Sequence, residues 1–174
     1  MIYDELSLPI DDLNSLELNI PEGPSFTSDE IEIWLVCEGK KRCVFKDSWE
    51  ATFLPEVVHV VNRFRNHNQH GHYMPTELEW RYFHHLSSGE IDEAIWDYLL
   101  FSSNHTHVFL VENKDADAVL VVSEMYPYGE NPEFRRIGCY TLDRSTILLL
   151  FDKLVKELEM FWTSSMIPTV MPAP

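Results

Sequence analysis

Strand-like and helical segments come in groups along this 174-residue chain rather than in strict alternation. Residues 31–37, the turn EGKKR and residues 43–46 together predict a β-hairpin. Three further strand-like runs cover residues 106–112, 117–124 and 134–141. Because strict alternation of strands and helices is what builds a parallel sheet, this grouping favours an antiparallel sheet in an α+β domain.

Four segments carry apolar residues at helical spacing and predict helices. They lie at about residues 54–64, 76–86, 90–101 and 145–161. The last is the clearest, because its apolar residues recur on one face and charged residues occupy the other. Together with the strands, these segments predict a single α+β domain with an antiparallel sheet and four or so helices packed against it.

Two pairs of residues have the spacing of a helix capping box, in which a hydroxyl and a carboxylate three residues apart satisfy backbone N–H groups. Thr76 with Glu79 predicts the start of one helix. Ser87 with Glu90 predicts the start of the next.

Composition predicts one domain that includes an acidic N-terminal segment and is followed by a C-terminal tail. We expect the domain to cover residues 1–162, with the acidic N-terminal segment 1–30 partly packed on it, because leucines are interspersed among the acids of that segment. Residues 163–174 contain several prolines, and we expect them to form a flexible tail.

The N-terminus and the cysteines indicate the compartment. The first residues, MIYDEL, are acidic where a secretory signal would be positive, so we expect a cytoplasmic protein. Cys37, Cys43 and Cys139 form no CxxC pair, and we expect them to be reduced thiols. Cys37 and Cys43 could also face each other across the predicted hairpin, which leaves a bridge between them open as an alternative.

Charge excludes two classes of partner. Acids number 29 against 13 bases, which gives a formal net charge of -16. Nucleic acid backbones and anionic membranes both require a positive footprint on the protein that binds them. We therefore expect no direct binding to nucleic acid or to a membrane.

The densest cluster of potential metal ligands is the HxxHxH pattern of His67, His70 and His72. Three imidazoles could bind zinc if a carboxylate or a water completed the tetrahedron. The pattern lies in the stretch HNQHGHYM, which predicts a polar loop without rigid support for ligands. We therefore expect no metal and no other cofactor, and we keep a metal-binding protein or metal-dependent enzyme as an alternative.

Motifs of known catalytic sites are missing from the sequence. It contains no GxSxG, P-loop, dinucleotide-binding fingerprint or HExxH. Carboxylates are abundant, but their abundance in so acidic a chain does not indicate acid–base catalysis. The sequence therefore predicts a protein that is not an enzyme.

Acids are mixed with tryptophan and tyrosine in two regions, the predicted helices within residues 76–101 and the loop at residues 124–133. Aromatic side chains supply desolvated contact area and negative charge accelerates encounter, so this mixture suits capture of a basic protein surface. The alternative is that the aromatics are core residues and the acids maintain solubility. The candidate partner-binding residues are Glu77, Glu79, Trp80, Asp92, Asp97, Glu124, Tyr126, Tyr128, Glu130 and Glu133.

In size, charge and α+β layout over residues 1–162, the chain resembles the immunity proteins of bacterial toxin–immunity systems, including those of contact-dependent growth inhibition. The resemblance implies one-to-one inhibition of a cognate toxin, often a nuclease, whose basic substrate-binding surface is occluded by acidic side chains. An exposed edge of the strand predicted at residues 134–141 would add main-chain hydrogen bonds to the toxin. An acidic adaptor with another protein partner remains a further alternative.

Overall fold

The computed structural model describes residues 3–9, 12–21, 30–37, 39–48, 53–90, 92–103, 105–115 and 117–166. The strands in these ranges are β1 (Tyr3–Pro9), β2 (Asn14–Pro21), β3 (Glu30–Cys37), β4 (Lys40–Ser48), β5 (Leu99–Ser103), β6 (Thr106–Glu112), β7 (Ala118–Tyr126) and β8 (Glu133–Leu142). The helices are α1 (Phe53–Arg65), α2 (Pro75–Ser88), a 3₁₀ helix (Glu93–Asp97) and α3 (Arg144–Met166).

The strands form two antiparallel sheets of four strands each, in the orders β1-β2-β3-β4 and β5-β6-β7-β8. Each sheet is a meander of sequential neighbours, and α1, α2 and the 3₁₀ helix connect the two. The predicted α+β class is confirmed. The prediction of one sheet with about four helices is wrong, because the described residues contain two sheets and three α-helices.

The helix predicted at residues 90–101 is the largest error. Gly89 has a left-handed φ of 74° and ends α2, and only Glu93–Asp97 continue as a 3₁₀ helix. From Leu99 onward the chain forms β5, in which Leu100 and Phe101 are successive buried residues. A short apolar run that is buried on both faces of a sheet has the same periodicity as a buried helical segment.

Neither predicted capping box forms. Met74 is the N-cap of α2 and no side chain caps the helix there. The hydroxyl of Thr76 instead accepts a hydrogen bond from Arg136 of β8 at 3.0 Å. Ser87 donates its hydroxyl to the carbonyl of His84 within α2, so this serine belongs to the end of that helix rather than to the start of another.

The acidic N-terminal segment contributes two strands to the first sheet. The register places Leu8 opposite Leu16 and Leu16 opposite Leu35, and all three are buried. Glu17 follows Leu16 in β2 and binds Nζ of Lys41 at 2.6 Å. Leucines that alternate with polar residues thus bury one face of the sheet, as the period of two in a strand requires.

The β3–β4 hairpin turns more tightly than the EGKKR pattern indicates. The backbone register pairs Cys37 with Lys40 and Cys43 with Trp34, so the two cysteines do not oppose each other. This register removes the geometric reason for a bridge between them. The thiol of Cys43 donates to the carbonyl of Phe45 at 3.2 Å, and burial raises the pKa of that thiol.

The second sheet has hydrophobic side chains packed on both of its faces. One face packs with the first sheet, α1 and α3, and it includes Val108, Leu110 and Leu120. The opposite face packs against α2 and includes Phe109 and Val121. This sheet is therefore the centre of the fold, and α2 forms an outer layer whose other side is free to face solvent.

The C-terminal helix α3 runs to Met166, which is beyond the expected domain end at residue 162. Residues 167–174 of the expected tail lie outside the described residues, as do residues 1–2 and 22–29 of the N-terminal segment. Within the described part of the chain, no helix combines the length and hydropathy needed to cross a bilayer.

Candidate partner-binding face

Glu79 is a predicted partner-binding residue, but the structure buries it. Only 1% of its surface is exposed. Its carboxylate accepts hydrogen bonds from Nε of Arg136 at 3.1 Å and from the hydroxyl of Ser123 on β7. These charged and polar partners compensate for the loss of water around the carboxylate, and Glu79 raises the pKa of Arg136 in return. Glu79 therefore fastens α2 to the second sheet, and the prediction that it faces a partner is corrected.

Asp97 is also buried rather than presented to solvent. Its side chain is 5% exposed and lies 2.9 Å from Nε2 of His59, 2.5 Å from Nδ1 of His70 and 3.3 Å from Nε of Arg63. Burial acts to raise the pKa of Asp97, but the hydrogen bonds from His70 and His59 and the charge of Arg63 outweigh it and lower that pKa. Asp97 thus joins the 3₁₀ helix to α1 and to the loop after α1.

That loop, which follows α1 at residue 66, is fixed by a buried glutamine that the sequence analysis did not identify. Gln69 is 5% exposed, and its Nε2 donates to the carbonyls of Asp97 at 3.0 Å and Leu110 at 2.7 Å. Its Oε1 accepts from the backbone N–H of Glu112 at 3.1 Å. A glutamine among histidines gives no periodic signal, so only the tertiary structure shows its role.

The three histidines of the HxxHxH pattern do not converge. The ring of His67 contacts the carboxylate of Glu112, and the ring of His70 contacts Asp97. His72 is exposed. Among the described residues, which include all three histidines, no group of three or more His, Cys, Asp or Glu side chains is placed to hold a metal ion.

Glu124 and Tyr126 are held by neighbours within the chain. The carboxylate of Glu124 accepts from Nη1 of Arg42 at 2.8 Å and from Nε of Arg135 at 2.8 Å. The ring of Tyr126 is half-buried, with its centroid 4.5 Å from that of His105. Glu124 consequently adds little free negative charge to the surface, contrary to its predicted role.

The other predicted residues lie on one exposed surface, which we call the acidic–aromatic face. It is formed by α2, the 3₁₀ helix with its preceding residues, and the β7–β8 loop. Trp80 is 56% exposed, Trp96 is 44% exposed and Tyr128 is 76% exposed. The members of the face are Glu77, Trp80, Arg81, His84, Glu90, Asp92, Glu93, Trp96, Tyr128, Glu130 and Glu133.

Contacts between α2 and the β7–β8 region make this a single face. The hydroxyl of Tyr128 donates to the carbonyl of Leu86 at 2.8 Å. The ring of Trp80 packs edge-on against that of Phe134, with centroids 5.8 Å apart. The two acidic regions that the sequence predicts separately are therefore adjacent in the folded chain.

A shallow cleft of about 560 Å³ lies within the face, between the end of α2 and the 3₁₀ helix. Trp80 and Glu93 are among its lining residues, and Arg81 also lines it. Asp92 and Glu77 both bind the guanidinium of Arg81, at 3.1 Å and 3.0 Å. These two carboxylates raise the pKa of Arg81, Asp92 most strongly, and they neutralise its charge. The cleft therefore presents acid and aromatic surface to a partner.

No protein-family model matches the chain, and no curated protein matches its sequence significantly. Function is therefore inferred from the chemistry of this face.

Proposed function

We propose that this chain is a non-catalytic binding protein that captures a cationic surface of another protein through the acidic–aromatic face. In the form implied by the resemblance to immunity proteins, the partner is a bacterial toxin, such as a nuclease, and the face covers its basic substrate-binding surface. Acidic side chains then occupy the positions that substrate phosphates would take. The protein acts in the cytoplasm and uses no cofactor.

The observation that supports this proposal is the separation of paired from unpaired acids. Glu79, Asp97 and Glu124 are bound by bases of the chain itself. On the face, Glu77 and Asp92 share Arg81, whereas Glu93 and Glu130 are exposed and form no ion pair with any described residue. An unpaired carboxylate can bind an incoming lysine or arginine without first losing an internal partner, so Glu93 and Glu130 are available to a cationic protein.

The aromatic residues supply the second component of an interface. Tryptophan is enriched among residues that dominate binding energy, because its large ring excludes water from neighbouring polar contacts. Trp80 and Trp96 each leave a large part of the ring exposed although their edges pack on buried aromatics. Rings anchored in this way lose little side-chain freedom on binding.

The strand β8 can form main-chain hydrogen bonds with a partner beside the acidic–aromatic face. Among the described strands it pairs with β7 alone, so it is an edge of the second sheet. Its two arginines would repel a basic partner, but Arg135 binds Glu124 and Arg136 binds Glu79. Arg136 is matched by Glu79, whereas Arg135 shares Glu124 with Arg42, so repulsion of a basic strand is reduced rather than removed. The edge can then accept a strand of the partner by β-augmentation.

The test is capture of the partner with two matched variants. The first, Glu93→Lys with Glu130→Lys, reverses two unpaired acids of the face. The second, Asp12→Lys with Asp115→Lys, makes the same change in net charge at exposed positions in the β1–β2 and β6–β7 turns. Proteins retained from source cells by the wild type and the control, and lost from the face variant, are the candidates for purification.

The purified candidate must then lose its own activity when one equivalent of this chain is added, and must keep it when the face variant is added. Equal binding of both variants would reject the acidic–aromatic face as the interface. A captured protein whose activity is unaffected would reject neutralisation and leave the adaptor interpretation.

A further inference from the structure

A second cleft, of about 690 Å³, lies where the β3–β4 hairpin meets β7 and β8 of the second sheet. This is within the range of volumes that accommodate drug-sized ligands. Its apolar lining includes Ile137 and Tyr140, which are half-buried. Lys40 and Arg42 line the cleft from β4. The cleft shares no lining residue with that of the acidic–aromatic face.

The charge at this cleft is opposite to that of the chain. Lys40 is exposed and forms no ion pair with any residue that the structure describes. Arg42 shares the carboxylate of Glu124 with Arg135, so two guanidiniums are matched by one acid. This local positive surplus attracts an anion at short range, although the net charge of the whole chain is -16.

The wall of the cleft on the second sheet is shaped by Gly138 and Tyr140, two residues apart on β8. A Cβ atom at Gly138 would lie 2.5 Å from Oη of Tyr140. Only glycine therefore leaves room for this position of the tyrosine ring. The ring provides an aromatic surface and a hydroxyl beside the cationic residues of β4.

We propose that this cleft binds an organic anion, in which a carboxylate or phosphate group is attached to an apolar body. The anionic group contacts Lys40 and Arg42, and the apolar body packs on Ile137 and the ring of Tyr140. The two clefts have no lining residue in common, although β8 contributes Glu133 to the acidic–aromatic face and Gly138 and Tyr140 to this cleft.

The fluorescent anion 8-anilinonaphthalene-1-sulfonate is a direct probe, because it combines a sulfonate with apolar rings. We expect saturable binding at one site per chain. Lys40→Glu should weaken binding about tenfold, whereas Lys114→Glu, with the same charge change in the exposed β6–β7 turn, should leave it within about twofold. Near-UV circular dichroism of each variant confirms that the fold is retained.

Two competitors then define the ligand class. Decanoate and decyl phosphate should each displace the probe, and whichever acts at the lower concentration identifies the preferred anionic group. Decanol, which lacks a charge, should displace it weakly. Absence of saturable binding, equal affinity of Lys40→Glu and Lys114→Glu, or equal displacement by decanol would each overturn the proposal.

Discussion

The carboxylate of Asp97 accepts two hydrogen bonds from His70, one from its backbone N–H at 3.1 Å and one at Nδ1 at 2.5 Å. One acid thereby fixes both the backbone and the side chain of a residue that is distant in sequence. Gln69 adds contacts to the backbone of the same region. The loop after α1 is consequently fixed to the body of the fold at Gln69 and His70, although most of its side chains are exposed.

Removal of this carboxylate should destabilise the fold. We expect Asp97→Ala to lower the free energy of unfolding by about 2–4 kcal/mol, because it leaves Arg63 and the His70 N–H without their acceptor. Asp115→Ala, at an exposed turn, is the control and should cost less than about 0.5 kcal/mol. Urea denaturation measures both. A loss of partner affinity in Asp97→Ala at unchanged stability would show that Asp97 acts at the interface after all.

The Glu79–Arg136 pair should behave as a structural contact. Glu79→Ala leaves a partly buried guanidinium without its acid, and we expect it to cost about 3 kcal/mol in the free energy of unfolding. The double variant with Arg136→Met should recover part of that loss, because no uncompensated charge remains. If the losses in the free energy of unfolding measured for Glu79→Ala and for Arg136→Met simply add in the double variant, the coupling between Glu79 and Arg136 is contradicted.

His107 should make stability depend on pH. Burial, with a smaller contribution from His105, lowers its pKa from 6.5 to about 4. The unfolded chain therefore takes up a proton between pH 6.5 and about 4 that the folded chain does not, so the free energy of unfolding falls as pH decreases through this window. The contribution of His107 to that fall is roughly 3 kcal/mol.

The test compares urea unfolding at several pH values in the wild type and in two variants. His107→Leu should flatten the pH dependence between pH 7 and 4, whereas the exposed His72→Leu should retain it. An identical slope of the free energy of unfolding against pH in wild type and in His107→Leu would contradict the assignment of this pH dependence to His107.

Zinc should not be a constituent of this protein. His67 and His70 each contact a separate carboxylate, and among the described residues no group of three or more potential ligands is placed to hold a metal ion. We expect dialysed protein to contain far less than one zinc per chain by elemental analysis. Stoichiometric zinc that is lost in His67→Ala would favour the metal-dependent alternative instead.

Local patterns predicted most of the secondary structure. Helices α1, α2 and α3 and the strands β3, β4, β6, β7 and β8 follow from hydrophobic periodicity. The second sheet was split between a predicted helix and three strands, because the buried run in β5 has no alternation. The division into two sheets could not be predicted, since local patterns do not show that β4 and β5 fail to pair with each other.

The acidic–aromatic face was predictable only in part, because composition does not show which acids form ion pairs within the folded chain. On α2, Glu77 and Glu79 are about 200° apart around the helix axis. Leu78, Tyr82 and Phe83 mark the buried side of α2, and Glu79 falls on it. Its partner Arg136 is 57 positions away in the sequence, so the pairing emerges only in the folded chain.

The association rate constant with the captured partner tests the central claim most directly. By stopped-flow at ~0.05 M and ~0.5 M salt, the wild-type rate should fall about tenfold or more, because exposed charges are screened. At low salt, Glu93→Lys with Glu130→Lys should be slower than wild type by a similar factor, and Asp12→Lys with Asp115→Lys should be much closer to wild type. Equal rates for the two variants, or a rate indifferent to salt, would contradict capture by the acidic–aromatic face.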